Sequence, residues 1–459
     1  MNSQTQEIAL LGSSKACRLN LDKFDWICIL ALLVSFIVVG HLPAAPSKYG
    51  DLYFHEEAKT LASVLQGNAS WKEIAIARAP GPVLYYALPY TLVPHDAPDA
   101  VFWDAALAWN ILWMAIAILL IRRTGVLLGG AAAGKAAAAL SLVMPFAVYY
   151  SFGIAAETPA YIAAVFFGYG WALWRNDRTQ TFFSSGVLLA LLGLGALILC
   201  RPNALVIVGV AAACGMAAWL HRSERGTADA AFAMLCIAAS LATVAIESVS
   251  LKHLPQNGGV EMQSSNFSDV VFEGSFQFRS EPWDWRFWGK ATRSGSVDYR
   301  NWVEARRELL EQSASTGKSM AELEMQWTLR DIVQHPLERL KMFAVRALQL
   351  NIWIENSKNP SAFQIGPFRG WSVYLVFHVL LNAIAVLSVF ASIWFLAFHR
   401  DQFLAYWPVW GLWAGLLLFH AFTYAEPRYM LPGEPGMAIL AGCALGGRIK
   451  SKNGRIPQK

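Results

Sequence analysis

The chain has 459 residues, 56% of them hydrophobic and only 15% charged, against about 25% charged in soluble globular domains. Mean hydropathy is +0.38, and windows of about 20 apolar residues, the length that crosses a hydrocarbon core, recur along it. These figures exclude a soluble globular enzyme, and the net charge of +5 follows loop topology and is no sign of a nucleic-acid partner.

In chain order, the expected architecture is an all-α polytopic membrane protein of about ten spans, at 26–42, 105–121, 130–150, 157–174, 183–200, 203–220, 230–250, 371–397, 402–423 and 430–447. Only Arg201-Pro-Asn203 separates the spans 183–200 and 203–220, so two full crossings and one bent or partly re-entrant unit both fit. Ala44-Ala45 imitates a signal-peptide cleavage site. The charged leader is long, however, and cutting there would untether Asp51 to Arg78, so the first span is expected to stay. The short-loop cations Lys15, Arg18, Lys23, Arg122, Arg123, Arg175, Arg178, Arg222, Arg225 and Arg400, with the tail 448–452, are expected on the cytoplasmic side of an inner (plasma) membrane. Both termini are then cytoplasmic, and the loops 43–104 and 251–370 lie on the external, periplasmic face. The six cysteines fall in spans or on the cytoplasmic side, so neither an external disulfide nor a metal spacing is expected.

Three parts emerge: a membrane module at 1–250 carrying the first external loop 43–104, an external segment at 251–370, and a three-span module with a basic tail at 371–459. The Ala-rich run 131–139 reads as close helix packing by small residues. Within the external segment Ser319 to Ile352 reads as amphipathic helix, with Pro336 starting a helix or breaking one. A helix lying on the membrane surface and a helix packed on a small soluble subdomain both fit that pattern.

Five polar islands interrupt the apolar background. The first is Tyr49-Gly-Asp-Leu-Tyr-Phe-His-Glu-Glu-Ala-Lys59, with Asp51, His55 and Glu56. Asp51 reads either as a helix cap or as a base or metal ligand, while Glu57 and Lys59 read as a solvated face. The second is Arg78-Ala-Pro-Gly-Pro82, followed by Tyr85, Tyr86 and Tyr90; its prolines are expected to hold the chain extended. Its Arg suits either bidentate phosphate binding or snorkelling to the headgroups. Third, Glu157 opens a span ahead of Thr-Pro, where it either complements the helix dipole or faces Asp51 across a cleft. Two converging carboxylates suit base catalysis or a divalent cation, magnesium or manganese. Fourth is Arg201 inside a long apolar stretch, which needs a partner there. Fifth is Tyr424-Ala-Glu426-Pro-Arg428-Tyr429, where Glu426 and Arg428 either pair with each other or shape a site.

The order of these motifs resembles the integral-membrane glycosyltransferases of the GT-C fold, particularly the bacterial branch related to protein O-mannosyltransferases and the aminoarabinose transferase of lipid A (glycosyltransferase families 39 and 83). The resemblance takes in most of residues 20–445: an acidic first loop ending in Leu-Gln-Gly-Asn68, Arg-x-Pro-x-Pro at 78–82 where the family has Lys-Pro-Pro, Glu157, Gly-Leu-x-x-Leu-x-x-x-Arg-Pro at 193–202, His335-Pro-Leu-Glu-Arg-Leu-Lys341, and Arg-Tyr-x-x-Pro at 428–432.

The resemblance implies a GT-C-like bundle that takes a sugar from a polyprenyl-phosphate donor and passes it to a lipid, glycan or protein acceptor on the external face. Asp51 would be the base, with Glu56 competing for that role and Glu157 assisting or sharing a metal. Arg78, Arg201 and Arg428 would neutralise the phosphate, with Tyr429, His55, Tyr85, Tyr86 and Glu426 lining the substrate site. A transporter or flippase of lipid-linked sugars is the alternative, and a non-catalytic assembly subunit the third reading. The charges gather at one face and the two halves of the chain do not match, which favours the enzyme over the inverted repeats common among transporters.

Overall fold

With no water in a bilayer core to solvate its amides, an apolar run must satisfy its backbone internally, and a helix does so. The computed structural model describes residues 21–40, 52–76, 79–177, 184–220, 224–252, 262–280, 296–351, 364–365, 368–369, 371–399, 403–423 and 427–446. Each of the ten expected spans is helical over most of its described residues. The membrane helices of the N-terminal part are α1 (Lys23–Gly40), α4 (Asp99–Gly129), α5 (Ala131–Val143) with α6 (Pro145–Ser151), α7 (Glu157–Asn176), α8 (Ser185–Cys200), α9 (Val206–Leu220) and α10 (Glu224–Lys252). Between α1 and α4 lie α2 (Leu52–Leu65) and α3 (Pro80–Tyr90). Beyond α10 come α11 (Met262–Gly274), α12 (Val297–Thr316), α13 (Met320–Gln334) and α14 (Pro336–Gln349), then α15 (Trp371–Phe398), α16 (Trp407–Phe422) and α17 (Glu434–Gly446). A two-residue antiparallel ladder pairs Gln364 with Arg369 and Ile365 with Phe368. Among the described residues, five helical runs are long and apolar enough to cross a membrane: Asp99–Gly129, Pro202–Leu220, Gly226–Ser250, Val379–Phe398 and Leu404–Phe422. The protein is an all-α polytopic membrane protein.

Small residues set how closely the bundle packs, because lipid supplies no hydrophobic drive between helices and contact depends on backbone approach. A Cβ on Gly442 of α17 would stand 2.6 Å from the Ala137 amide nitrogen of α5, and one on Gly446 2.5 Å from the Ala132 carbonyl carbon. This is the close packing expected of the Ala-rich run. On the α7–α8 face, a Cβ on Gly186 would stand 2.6 Å from Trp174 N, and one on Gly193 would meet Phe167. Those positions run in opposite directions, so α8 descends antiparallel to α7. Gly130, at φ +88°, turns α4 into α5 through a backbone conformation that side-chain-bearing residues rarely adopt.

Two expectations at prolines need correction. Pro80 and Pro82 do not hold the chain extended; Pro80 is the first residue of α3, with Gly81 and Pro82 in its first turn. The proline φ suits that turn, and the missing N–H is one that has no intrahelical partner there in any case. The span at 130–150 is broken, since Met144 is extended and Pro145 begins α6.

Pro336 both ends one helix and begins another. Upstream of it, α13 packs on α11 and α12 through a small core of Phe272, Phe276, Leu309 and Leu323, with Trp327 stacked on Phe276 at 4.9 Å. That is the subdomain reading. Downstream, α14 buries Met342, Val345, Arg346 and Gln349 and leaves Leu337 and Leu340 exposed. Arg346, 1% exposed, donates to five backbone carbonyls: Gln277 and Thr423 at 3.1 Å, Ala421 and Phe422 at 3.3 Å, and Gly274. One guanidinium thus ties the turn after α11 to the end of α16.

Near the start of α1, Arg122 of α4 pairs with Asp22 and with the buried Asp25, while Arg123 lies 3.6 Å from Asp25. The Arg122 guanidinium holds the Asp22 carboxyl well below the usual range, at about 2.

Candidate active site

The site forms where three chain segments meet the opening of α7. Glu157 is the first residue of α7, only 3% exposed. Arg201, in extended backbone (φ −145°, ψ 93°), caps α8 just before the 3-10 turn Pro202–Leu205, so its side chain leaves the helix axis. Arg428 lies in the 3-10 segment Pro427–Gly433 between α16 and α17. Both guanidiniums converge on one carboxylate oxygen: Arg201 donates to Glu157 Oε1, and Arg428 Nε lies 3.6 Å from the same atom. The Tyr429 ring sits under both cations, 5.2 Å from the Arg201 guanidinium carbon and 5.5 Å from that of Arg428. Its other neighbour is His420 of α16, stacked at 4.6 Å and 29°. His420 is buried and its Nε2 lies 2.7 Å from Asn203 Nδ2. The Asn203 carbonyl oxygen is buried with no hydrogen-bond partner among the described residues.

A polar lattice fixes the loop that leads into Glu157. The Tyr86 hydroxyl accepts from the Ala155 amide and donates to the Ala155 carbonyl, both at 3.1 Å. Asn110 donates to the carbonyls of Ser151 (2.9 Å) and Gly153 (3.2 Å) and accepts from the Tyr85 hydroxyl at 3.1 Å. Thr158 closes the lattice by donating to the Tyr150 carbonyl at 3.3 Å. Tyr85 and Tyr86 therefore act on protein groups in this arrangement and hold the start of α7.

Backbone packing also brings α3 to the site. A Cβ on Gly81 would stand 2.6 Å from the Cys200 amide nitrogen, one residue before Arg201.

His55 and Glu56 belong to a different cluster. His55, on α2, is buried among Tyr90, Phe102 and Trp103, stacked on Trp103 at 4.8 Å. That burial pushes its pKa below the usual imidazole value. Lys59, still partly exposed, pairs with Asp99 at 2.6 Å and covers the Phe102 ring.

Asp51, Arg78 and Glu426 lie outside the described residues. A magnesium or manganese ion shared by Asp51 and Glu157 fits poorly at its Glu157 end, because two guanidiniums already occupy that carboxylate and would repel a dication.

Sequence reasoning missed Asn203, His420, Asn110, Asp99 and Arg346. His420 carried a signal, since a histidine inside an apolar helix needs a partner. Asn203 carried one too, beside the Arg-Pro motif. Asn110 sits within a long apolar run as the same kind of exception, whereas Asp99 and Arg346 look like ordinary surface charge.

No family model matches the chain, and no curated protein matches it. Among solved structures, the archaeal oligosaccharyltransferase AglB from Archaeoglobus fulgidus, in complex with an inhibitory peptide and a dolichol-phosphate, is similar at a TM-score of 0.45 and 10% identity. The alignment takes in 92% of this chain and 50% of that one, so this chain spans about half the neighbour's length.

Proposed function

We propose that the protein is a membrane glycosyltransferase of the GT-C kind, moving a sugar from a polyprenyl-phosphate donor to a lipid, glycan or protein acceptor at the external face of the membrane. One observation carries this reading: Arg201 and Arg428 converge on the single carboxylate of Glu157 at the end of the apolar helices. Two guanidiniums meet at this one carboxylate, and Arg428 is partly exposed. A phosphate monoester or diester carried in from the bilayer is the anion such a fork fits.

In the reaction, the bond between the anomeric carbon and the phosphate oxygen breaks, and that oxygen leaves as polyprenyl phosphate. The acceptor nucleophile bonds to the anomeric carbon and its proton passes to a carboxylate, the role assigned to Asp51. Arg201 and Arg428 stabilise the charge that grows on the leaving phosphate. Such preorganised donors in a water-poor site are often the largest single contribution to an enzyme's rate. Arg78 precedes Gly81 by three residues, and the seat of Gly81 against Cys200 supports its recruitment to the same phosphate. Glu157 holds the arginines in register.

The test is release of polyprenyl phosphate from radiolabelled polyprenyl-phosphate sugars by purified protein, with envelope lipids as acceptors. Turnover by wild type, with a loss of about 100-fold or more in Arg201→Ala, is the expected result. Labelled lipid crossing a proteoliposome membrane without turnover would overturn the proposal and make the protein a transporter.

A further inference from the structure

A second polar cluster lies between α2 and the start of α4, and the Glu157 site makes no use of it. His55 is 1% exposed, yet its Nε2 has no hydrogen-bond partner among the described residues. That atom points toward Asp99, whose Oδ1 is 3.6 Å away. Glu56 reaches the same place, so that one ligand atom from each of His55, Glu56 and Asp99 lies within 4.8 Å of the others. The imidazole cannot swing away, being packed against Trp103, Phe102 and Tyr90. Its Nδ1 lies 2.9 Å from the Tyr90 hydroxyl. An imidazole held at one nitrogen by a hydrogen bond and left with the other nitrogen facing carboxylates is the usual posture of a metal-ligating histidine.

We infer that His55 Nε2, Glu56 and Asp99 form a site for one divalent transition-metal ion, Zn2+ or Mn2+, which clamps α2 to the first turn of α4. One nitrogen and two carboxylates favour such ions over Mg2+ and Ca2+, which prefer oxygen alone. Ligand bonds of about 2.0–2.2 Å need the three atoms to close by roughly 1 Å, within the reach of the two exposed carboxylate side chains. Lys59 now supplies the positive charge there, with its ammonium 2.6 Å from Asp99 Oδ1. The ion displaces that ammonium, which moves out to solvent on its flexible stem. The site does not depend on the glycosyl-transfer reading, since its elements are helix packing and ligand chemistry alone.

The experiment titrates Co2+, an optical surrogate, into full-length protein purified in detergent on a histidine-free tag and stripped with chelator. Zn2+, Mn2+ and Mg2+ then compete for the site. One Co2+ per chain is expected, displaced by Zn2+ and Mn2+ but not by equal Mg2+. Asp99→Asn and Tyr90→Phe are each expected to weaken binding by about 10–100-fold. Lys59→Gln is expected to tighten it several-fold, because a half-exposed ion pair no longer competes. Melting temperature is read alongside, and Lys59→Gln serves as the variant that leaves the buried His55 packing untouched. Binding that is equal in wild type, Asp99→Asn and Lys59→Gln overturns the inference, and so does the lack of any saturable Co2+ uptake by folded protein.

Discussion

Glu157 sets the charge of the candidate site, so its neutral isostere separates binding from turnover. Glu157→Gln keeps the shape, removes the carboxylate that Arg201 and Arg428 share, and raises the local charge by one unit. Polyprenyl phosphate is expected to bind tighter and turnover to fall, because the guanidiniums are no longer fixed for the transition state. Equilibrium binding of labelled lipid phosphate beside single-turnover rates checks both. Arg346 makes the opposite kind of prediction, one of stability. Arg346→Met removes the donor to five carbonyls, of which Gly274 keeps the Gln277 amide, and unsatisfied buried groups cost about 1–3 kcal/mol each before the structure relaxes. A loss on the order of 3 kcal/mol, read as a lower melting temperature in detergent, is expected. The contrast between these residues explains what the sequence made legible. Arg201 and Arg428 stood out because a cation in an apolar run is costly without a partner. Arg346 sits among other basic residues on an amphipathic helix, and its partners are backbone carbonyls that carry no residue identity.

Between elements, energetics turn on backbone approach, and glycine positions in the helices can be sorted by what a side chain would meet. Gly442 faces the Ala137 backbone of α5, whereas a Cβ on Gly209 of α9 has nothing within 4 Å. Gly442→Val is expected to cost about 1–3 kcal/mol through overpacking, and Gly209→Val close to nothing. Thermal unfolding of the two variants side by side checks it, and equal melting temperatures would refute the packing assigned to the α5–α17 face. Every long apolar run was legible as helix because lipid leaves the backbone no alternative. Breaks were less so: Pro80 and Pro82 permit an extended chain and a helix N-terminus alike, and tertiary packing of Gly81 on Cys200 chose the helix. The same limit applied to Ser319 to Ile352. One amphipathic pattern served two surroundings, α13 on a small core and α14 against α16, because a helical stripe records that it is buried but not against what.

For the whole molecule, orientation rests on counting crossings, and the short α8 is where the count is most exposed. Its 16 residues reach about 24 Å at 1.5 Å per residue, short of the roughly 30 Å hydrocarbon core. Its antiparallel run along α7, from Gly186 beside Trp174 to Gly193 beside Phe167, nevertheless favours a crossing in its own right, followed by a separate α9. Seven crossings then precede α12, which puts the residues on either side of them on opposite faces. The cysteines at 28, 200, 214, 236 and 443 are buried, so single introduced thiols report cleanly. Cys17 marks the N-terminal side, and Ala314→Cys in a Cys17→Ser background marks the exposed end of α12. A membrane-impermeant maleimide is expected to label Ala314→Cys in intact cells and Cys17 only after permeabilisation. Labelling of both from the same face would mean an even number of crossings between them, reducing 183–220 to one bent crossing. The Arg201 corner would then lie at a kink within the bilayer, away from any aqueous acceptor, and the external glycosyl-transfer site would fall with it.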